Sequence, residues 1–193
     1  MKIPWKQLGK GGVLTFFALF LCITLVLPAL VGCGPKPTTS GGASSSGPEG
    51  AREPFPDFSF PDSTGKSVGN ANFKGKVVLI NFWATWCKLC LLEIPHLKDL
   101  RDKFKGKPFE MVGIALDQGG WKDMNPFIKD LNMDYVILLG DKSFTAKKLG
   151  GLAGFPLVYI VDKKGNIYNK YIGYQEAFIG KMEKDIETLV AEK

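Results

Sequence analysis

Val77-Val78-Leu79-Ile80-Asn81-Phe82-Trp83-Ala84-Thr85-Trp86-Cys87-Lys88-Leu89-Cys90 runs from an apolar, β-branched strand signal straight into a Cys-x-x-Cys pair. The residues that follow switch to a helical period, with Cys90, Ile94, Leu97, Leu100 and Phe104 on one stripe. The pair therefore lies at a strand-to-helix turn, with Cys87 at the helix N-terminus. Unpaired backbone N–H groups and the positive end of the helix dipole stabilise an anion there. A thiolate is such an anion, and both this position and the Cys-x-x-Cys spacing lower a cysteine's pKa. Cys87 is read as the attacking sulfur of a disulfide exchange. Cys90, one turn further in and on the apolar stripe, is read as the shielded resolving sulfur.

Working outward, Phe58 to Val68 reads as a hairpin turning at Thr64-Gly65. Phe109 to Leu116 reads as a second buried strand, and Trp121 to Leu131 as a short helix in which Pro126 marks a kink or a later start. Val136 to Leu139 is a third strand, and Ser143 to Leu149 a short helix closed by Gly150-Gly151. Leu157 to Val161, the turn Asp162-Lys163-Lys164-Gly165 and Asn166 to Ile172 form a hairpin. Gln175 to Val190 is a last helix with Phe178, Met182, Ile186 and Leu189 on one face. Alternating β and α units ending in a hairpin and a helix imply a three-layer α/β domain around a mixed sheet.

The N-terminal part is of another kind. Lys2, Lys6 and Lys10 precede an uncharged apolar run from Val13 to Val31, which ends in Leu30-Val31-Gly32-Cys33. A basic start, an apolar stretch and a small-residue end make a secretory signal, residues 1–32. The Leu-x-Gly-Cys ending looks like a bacterial lipoprotein signal, with Cys33 as the lipidated first residue of the mature chain. The alternative is an uncleaved membrane anchor, since the run approaches the roughly 20 residues that span a bilayer. Both readings place the folded part outside the cytoplasmic membrane. Residues 33–54 are mostly Gly, Ser, Thr, Pro and Ala with little to bury, so they are expected to form a flexible tether with a reach of roughly 25 Å. The structured domain is expected over 55–193.

Of four cysteines, Cys22 lies inside the apolar run and Cys33 is the lipid candidate, leaving Cys87 and Cys90 for the soluble part. A lone close pair in an oxidising compartment points to redox work more than to a staple. The net charge of +6 falls to +3 once the three signal lysines are removed, too mild and scattered for a nucleic-acid partner.

Several separated motifs occur together: Asn81-Phe82-Trp83-Ala84-Thr85-Trp86-Cys87-x-x-Cys90, Glu93, Pro95, Gly154-x-Pro156 and Asp162-x-x-Gly165. In this set the chain, from Phe55 to Lys193, resembles the TlpA/ResA-like branch of the thioredoxin superfamily. The resemblance implies a thioredoxin-like α/β fold, a central mixed sheet flanked by helices, with an N-terminal hairpin and an inserted αβ unit. It implies that Pro156 is a cis-proline facing the cysteines and that the Phe155 backbone pairs with an extended substrate segment. Glu93, three residues after Cys90, is expected to lie on the same helical face, partly buried. It is read as a proton acceptor or pKa modulator for the inner cysteine, against the plainer reading of a surface carboxylate. Pro95 is expected to kink the helix. Trp86 is assigned to the exposed docking surface and Phe82 and Trp83 to the core. Lys88 is a weak electrostatic aid to the thiolate. His96, the only histidine, is read as a bland, partly exposed residue. The family usually carries proline just before the second cysteine, and Leu89 stands there instead, a change expected to loosen the turn and alter the potential.

The implied activity is thiol-disulfide exchange by a membrane-tethered protein with no metal or organic cofactor. A reductase is favoured, rereduced by a membrane thiol-electron donor and acting on protein disulfides such as that of apocytochrome c. Two other readings fit less well. A peroxiredoxin needs Thr or Ser where Ala84 stands, and a Cu(I)-binding lipoprotein would want further ligands beside the two thiolates.

Overall fold

The computed structural model describes residues 52–151 and 153–192. The expected signal, Cys33 and the tether up to residue 51 lie outside the described residues.

Seven residues from Val77 to Trp83 form the central strand, β3, and every one of them is buried. A strand buried on both faces reads as a continuous apolar run. Before it come a short hairpin, β1 (Ser59–Pro61) and β2 (Ser67–Gly69), and a 3-10 turn over Asn70–Phe73. After it come α1 (Lys88–Lys103), β4 (Phe109–Ala115), α2 (Trp121–Asp130), β5 (Val136–Leu139), α3 (Lys142–Lys148), β6 (Leu157–Val161), β7 (Ile167–Ile172) and α4 (Glu176–Ala191). The main sheet has the order β5-β4-β3-β6-β7. β3, β4 and β5 are parallel, while β6 runs antiparallel to both β3 and β7. This is the mixed sheet that the sequence predicts, with α2 and β5 as the added αβ unit on one edge.

Alternation along β3 divides the core. Val77 and Leu79 pack with Leu97 and Leu100 of α1 and with Met182, Ile186 and Leu189 of α4. Val78, Ile80 and Phe82 face the other way, against Phe55, Phe58, Phe60 and Phe73. A third cluster closes the upper end, where Trp83, Cys87, Cys90, Ile94 and Met124 meet.

Local details refine this outline. α2 begins at Trp121, so Pro126 does not delay it. α1 is one element from Lys88 to Lys103 with Pro95 inside it. Pro95 is exposed, which leaves water to serve the carbonyl that the missing N–H abandons. The domain's contacts also begin before Phe55. Pro54 bridges to Asn166, the Ile167 N–H donates to the Glu53 carbonyl at 2.8 Å, and Arg52 pairs with Asp162 at 3.0 Å.

Candidate active site

β3 ends at Trp83, and the chain turns through Ala84-Thr85-Trp86 into α1. Cys87 is the N-cap of that helix, and its Sγ accepts the Cys90 N–H at 3.1 Å. A disulfide joins the two residues. The same N–H, with the helix dipole behind it, faces the Cys87 sulfur after reduction and favours the thiolate. Cys87 is 6% exposed and Cys90 is fully buried, so only the first sulfur has a face toward a partner.

The turn is fixed by a residue that the sequence reading missed. Asp117, just beyond β4, accepts the Thr85 N–H at 3.1 and 3.2 Å and the Thr85 hydroxyl at 2.6 Å. The parallel register Trp83 to Ala115 puts positions 85 and 117 side by side, two residues past the paired strand ends. An acid directly after a buried parallel strand was the available signal, since sites in α/β sheets gather at the carboxyl ends of strands.

The Phe155–Pro156 peptide bond, just before β6, is cis. Phe155 packs against the cluster that holds both cysteines, and its ring meets Trp86 edge to face at 5.1 Å. Trp86 is 59% exposed. Among the described residues the exposed large apolar side chains are Trp86, Leu89, Leu92 and Ile172, three of them within six residues of one another at the start of α1.

Glu93 is fully buried, more deeply than the sequence reading placed it. Its Oε2 accepts the Asn81 side-chain N–H at 3.3 Å, and desolvation pushes its pKa from 4.5 up to about 8. At neutral pH it is therefore mostly a protonated acid one turn from Cys90. Lys88 is exposed on the first turn of α1, where screening weakens its field. His96 is exposed and stacks on Tyr174 at 5.9 Å, outside the buried cluster.

The family model described as Redoxin matches residues 50–190. The chain belongs to the Redoxin family. This redoxin is 32% identical over 120 residues to the thiol-disulfide oxidoreductase ResA of Bacillus thuringiensis subsp. konkukian, covering 62% of this chain and 68% of that protein. It is 30% identical over 127 residues to the thiol:disulfide interchange protein DsbE of Pseudomonas aeruginosa, covering 63% and 66%. Its fold matches the crystal structure of the thioredoxin domain of a thiol-disulfide oxidoreductase from Bacteroides vulgatus, with a TM-score of 0.62 and 29% identity over 69% of this chain and 96% of that one. The redoxin is a thiol-disulfide oxidoreductase of the ResA/DsbE type, with a thioredoxin-like fold, and its Cys87–Cys90 pair fits the redox Cys-x-x-Cys of that class.

Proposed function

We propose that this redoxin is a membrane-tethered, extracytoplasmic reductase of protein disulfides. The observation that carries the chemistry is the disulfide at the N-terminus of α1, with Cys87 the more accessible sulfur and the Cys90 N–H aimed at it. In the reduced enzyme the Cys87 thiolate attacks a partner disulfide, forms a mixed disulfide and releases the partner's first thiolate. Cys90 then loses its proton to the ionised fraction of Glu93 and attacks Cys87 Sγ. The Cys87–Cys90 disulfide re-forms and the partner's second thiolate leaves. Two electrons have passed to the partner, and a membrane thiol-electron donor returns them. Protein disulfides, with apocytochrome c as a candidate, dock on Trp86, Leu89 and the Phe155 backbone beside Pro156.

Support for the location comes from the signal over residues 1–32 and the lipidation candidate Cys33. Among the described residues no helix is long and apolar enough to cross a membrane. Cys33→Ser is expected to move the chain out of the membrane fraction. Cys90→Ser removes the resolving sulfur and is expected to accumulate mixed disulfides on Cys87. A folded Cys90→Ser chain that traps no partner overturns the mechanism. Direction is read from the reduction potential. A value near that of thioredoxin, about −270 mV, supports the reductase, whereas one near about −120 mV makes the protein an oxidant. Leu89→Pro then tests whether the altered turn sets that value.

A further inference from the structure

Buried side-chain polar atoms are nearly always hydrogen-bonded in native proteins. Among the described residues five have no partner within the protein, and four of them belong to one layer: Asn81 Oδ1, Trp83 Nε1, Glu93 Oε1 and Tyr135 Oη. The layer is the one between β3 and α1. Asn81 and Trp83 lie on β3, Asn81 is bonded to Glu93 on α1, and Tyr135 immediately precedes β5.

Gly113 explains how they come together. It is the β4 partner of Asn81, and aligned residues in a parallel pair share a face of the sheet. A Cβ at Gly113 would stand 3.2 Å from Trp83 Nε1 and 3.1 Å from Tyr135 Cε2. Both rings thus converge over the bare backbone next to the Asn81–Glu93 pair. The electrostatic influence of Glu93 reaches the Tyr135 hydroxyl, which burial already raises.

The unpaired atoms also complement one molecule. The Trp83 indole N–H can only donate, Asn81 Oδ1 can only accept, Glu93 Oε1 donates when the acid is protonated and accepts when it is ionised, and the Tyr135 hydroxyl does either. A water accepts two hydrogen bonds and donates two. It can take those of Trp83 and of protonated Glu93 and give its own to Asn81 and Tyr135, within the roughly two to four polar partners that buried waters have. Tyr135 also lines a surface cleft at the outer edge of β5, with Trp121, Met133 and Ile137. The Tyr135 ring thus separates the cleft from the buried acid, with its hydroxyl oxygen on the buried side.

We propose that Asn81, Trp83, Glu93 and Tyr135 hold an ordered water in this layer, and that Tyr135 is a positioning residue through which Glu93 exchanges its proton with solvent. The proposal rests on the reading of Glu93 as acceptor of the Cys90 proton. When Cys90 resolves the mixed disulfide, that proton reaches Glu93. The acid passes one proton to the water, and the Tyr135 hydroxyl takes one from the water as it gives its own to solvent that rotation of the ring admits from the cleft. No electron moves in this relay, and each group ends as it began. The groups facing it are the two cysteines at the start of α1, Lys98 and Arg101 on the same helix, and Asp134 beside Tyr135. Arg101 lies 6.0 Å over the Tyr135 ring and is held by Asp134 and Asp102, and Lys98 Nζ is bonded to the Leu131 carbonyl.

The test uses the full chain with Tyr135→Phe, which deletes one hydroxyl, and Gly113→Ala, which places a methyl against both rings. Three readouts apply: the water cross-peak at the Trp83 indole N–H by NMR, the Glu93 titration midpoint by infrared spectroscopy, and the rate at which Cys90 resolves a mixed disulfide with a model peptide. The parent is expected to show the cross-peak and Gly113→Ala to lose it. Tyr135→Phe is expected to raise the Glu93 midpoint, because its carboxylate loses solvation, and to slow resolution several-fold. In a Glu93→Gln background the Tyr135→Phe effect on rate is expected to vanish. An absent cross-peak in the parent, or an unmoved Glu93 midpoint in Tyr135→Phe, overturns the water site. An equal slowing with and without Glu93 overturns the relay. Unchanged resolution in Glu93→Gln alone overturns instead the role given to Glu93, while the cross-peak and midpoint still judge the water.

Discussion

Glu93 combines full burial with a single weak side-chain hydrogen bond, so its charged form is disfavoured in the fold and not in the unfolded chain. That difference is a stability statement. Between its unfolded value of 4.5 and its folded value of about 8 the native state holds a proton that the unfolded state has released. The contribution is complete below pH 4.5 and is lost as pH rises toward 8, with a slope of about 1.4 kcal/mol per pH unit. The oxidised protein is therefore expected to resist denaturant less at pH 8 than at pH 5. Glu93→Gln, which cannot ionise, is expected to flatten that slope and to be the more stable form at pH 8. Paired urea titrations of both proteins at the two pH values check this, and a parent slope that survives in the glutamine variant assigns it elsewhere. The aspartates held low by hydrogen bonds to Thr64, Arg101 and Ser143 titrate below this window and do not compete with it.

At the scale of elements, the site is a junction between the ends of two parallel strands. β3 delivers the turn that becomes the N-terminus of α1, and Asp117 beyond β4 holds that turn through both polar groups of Thr85. Asp117→Ala leaves the half-buried N–H and hydroxyl of Thr85 without their acceptor. It is expected to cost roughly 1.5 to 3 kcal/mol and to slow thiol exchange at Cys87, because the N-cap geometry is no longer fixed. Asp117→Asn, which keeps an acceptor oxygen, is expected to recover most of both losses. Stopped-flow thiol exchange together with equilibrium unfolding separates the two variants. The junction also shows what a sequence can express. β3 and α1 are legible because burial imposes a period on neighbouring residues: continuous for a strand covered on both faces, and recurring every three to four for Cys90, Ile94, Leu97 and Leu100. The cysteines, Trp86, Pro156 and Glu93 are legible as motifs. Gly113 and Tyr135 are not, because their meaning depends on which strand lies beside which and in what register, and Asp117 shows only as an acid after a strand, its pairing with Thr85 hidden in the same register. Nothing in the local pattern around Gly113 says that it faces Asn81.

At the scale of the whole molecule, the two ends of the sheet do different work. β3 and β6 are antiparallel, with Phe82 opposite Leu157 near the disulfide and Val78 opposite Val161 at the other end. Asp162 follows Val161, so the Arg52 contacts lie at the end of the sheet remote from Cys87. There Arg52 joins three parts of the chain, pairing with Asp162 after β6 at 3.0 Å and Glu192 after α4 at 3.2 Å, and covering the Tyr168 ring of β7 at 4.6 Å. Asp162 is nearly buried, and its carboxylate also accepts the Lys164 and Asn166 N–H groups of the turn, so the pair is not an ordinary surface salt bridge. Arg52→Ala is expected to lower unfolding free energy by about 1 to 3 kcal/mol, since it strips a charged partner from an acid with little access to water. It is expected to leave the reduction potential and the thiol-exchange rate at Cys87 unchanged, because no Arg52 contact reaches the upper cluster. Denaturant unfolding and thiol labelling of the same samples decide the matter. A variant as stable as the parent reduces Arg52 to a surface pair, whereas a changed potential means that the two ends of the sheet are coupled.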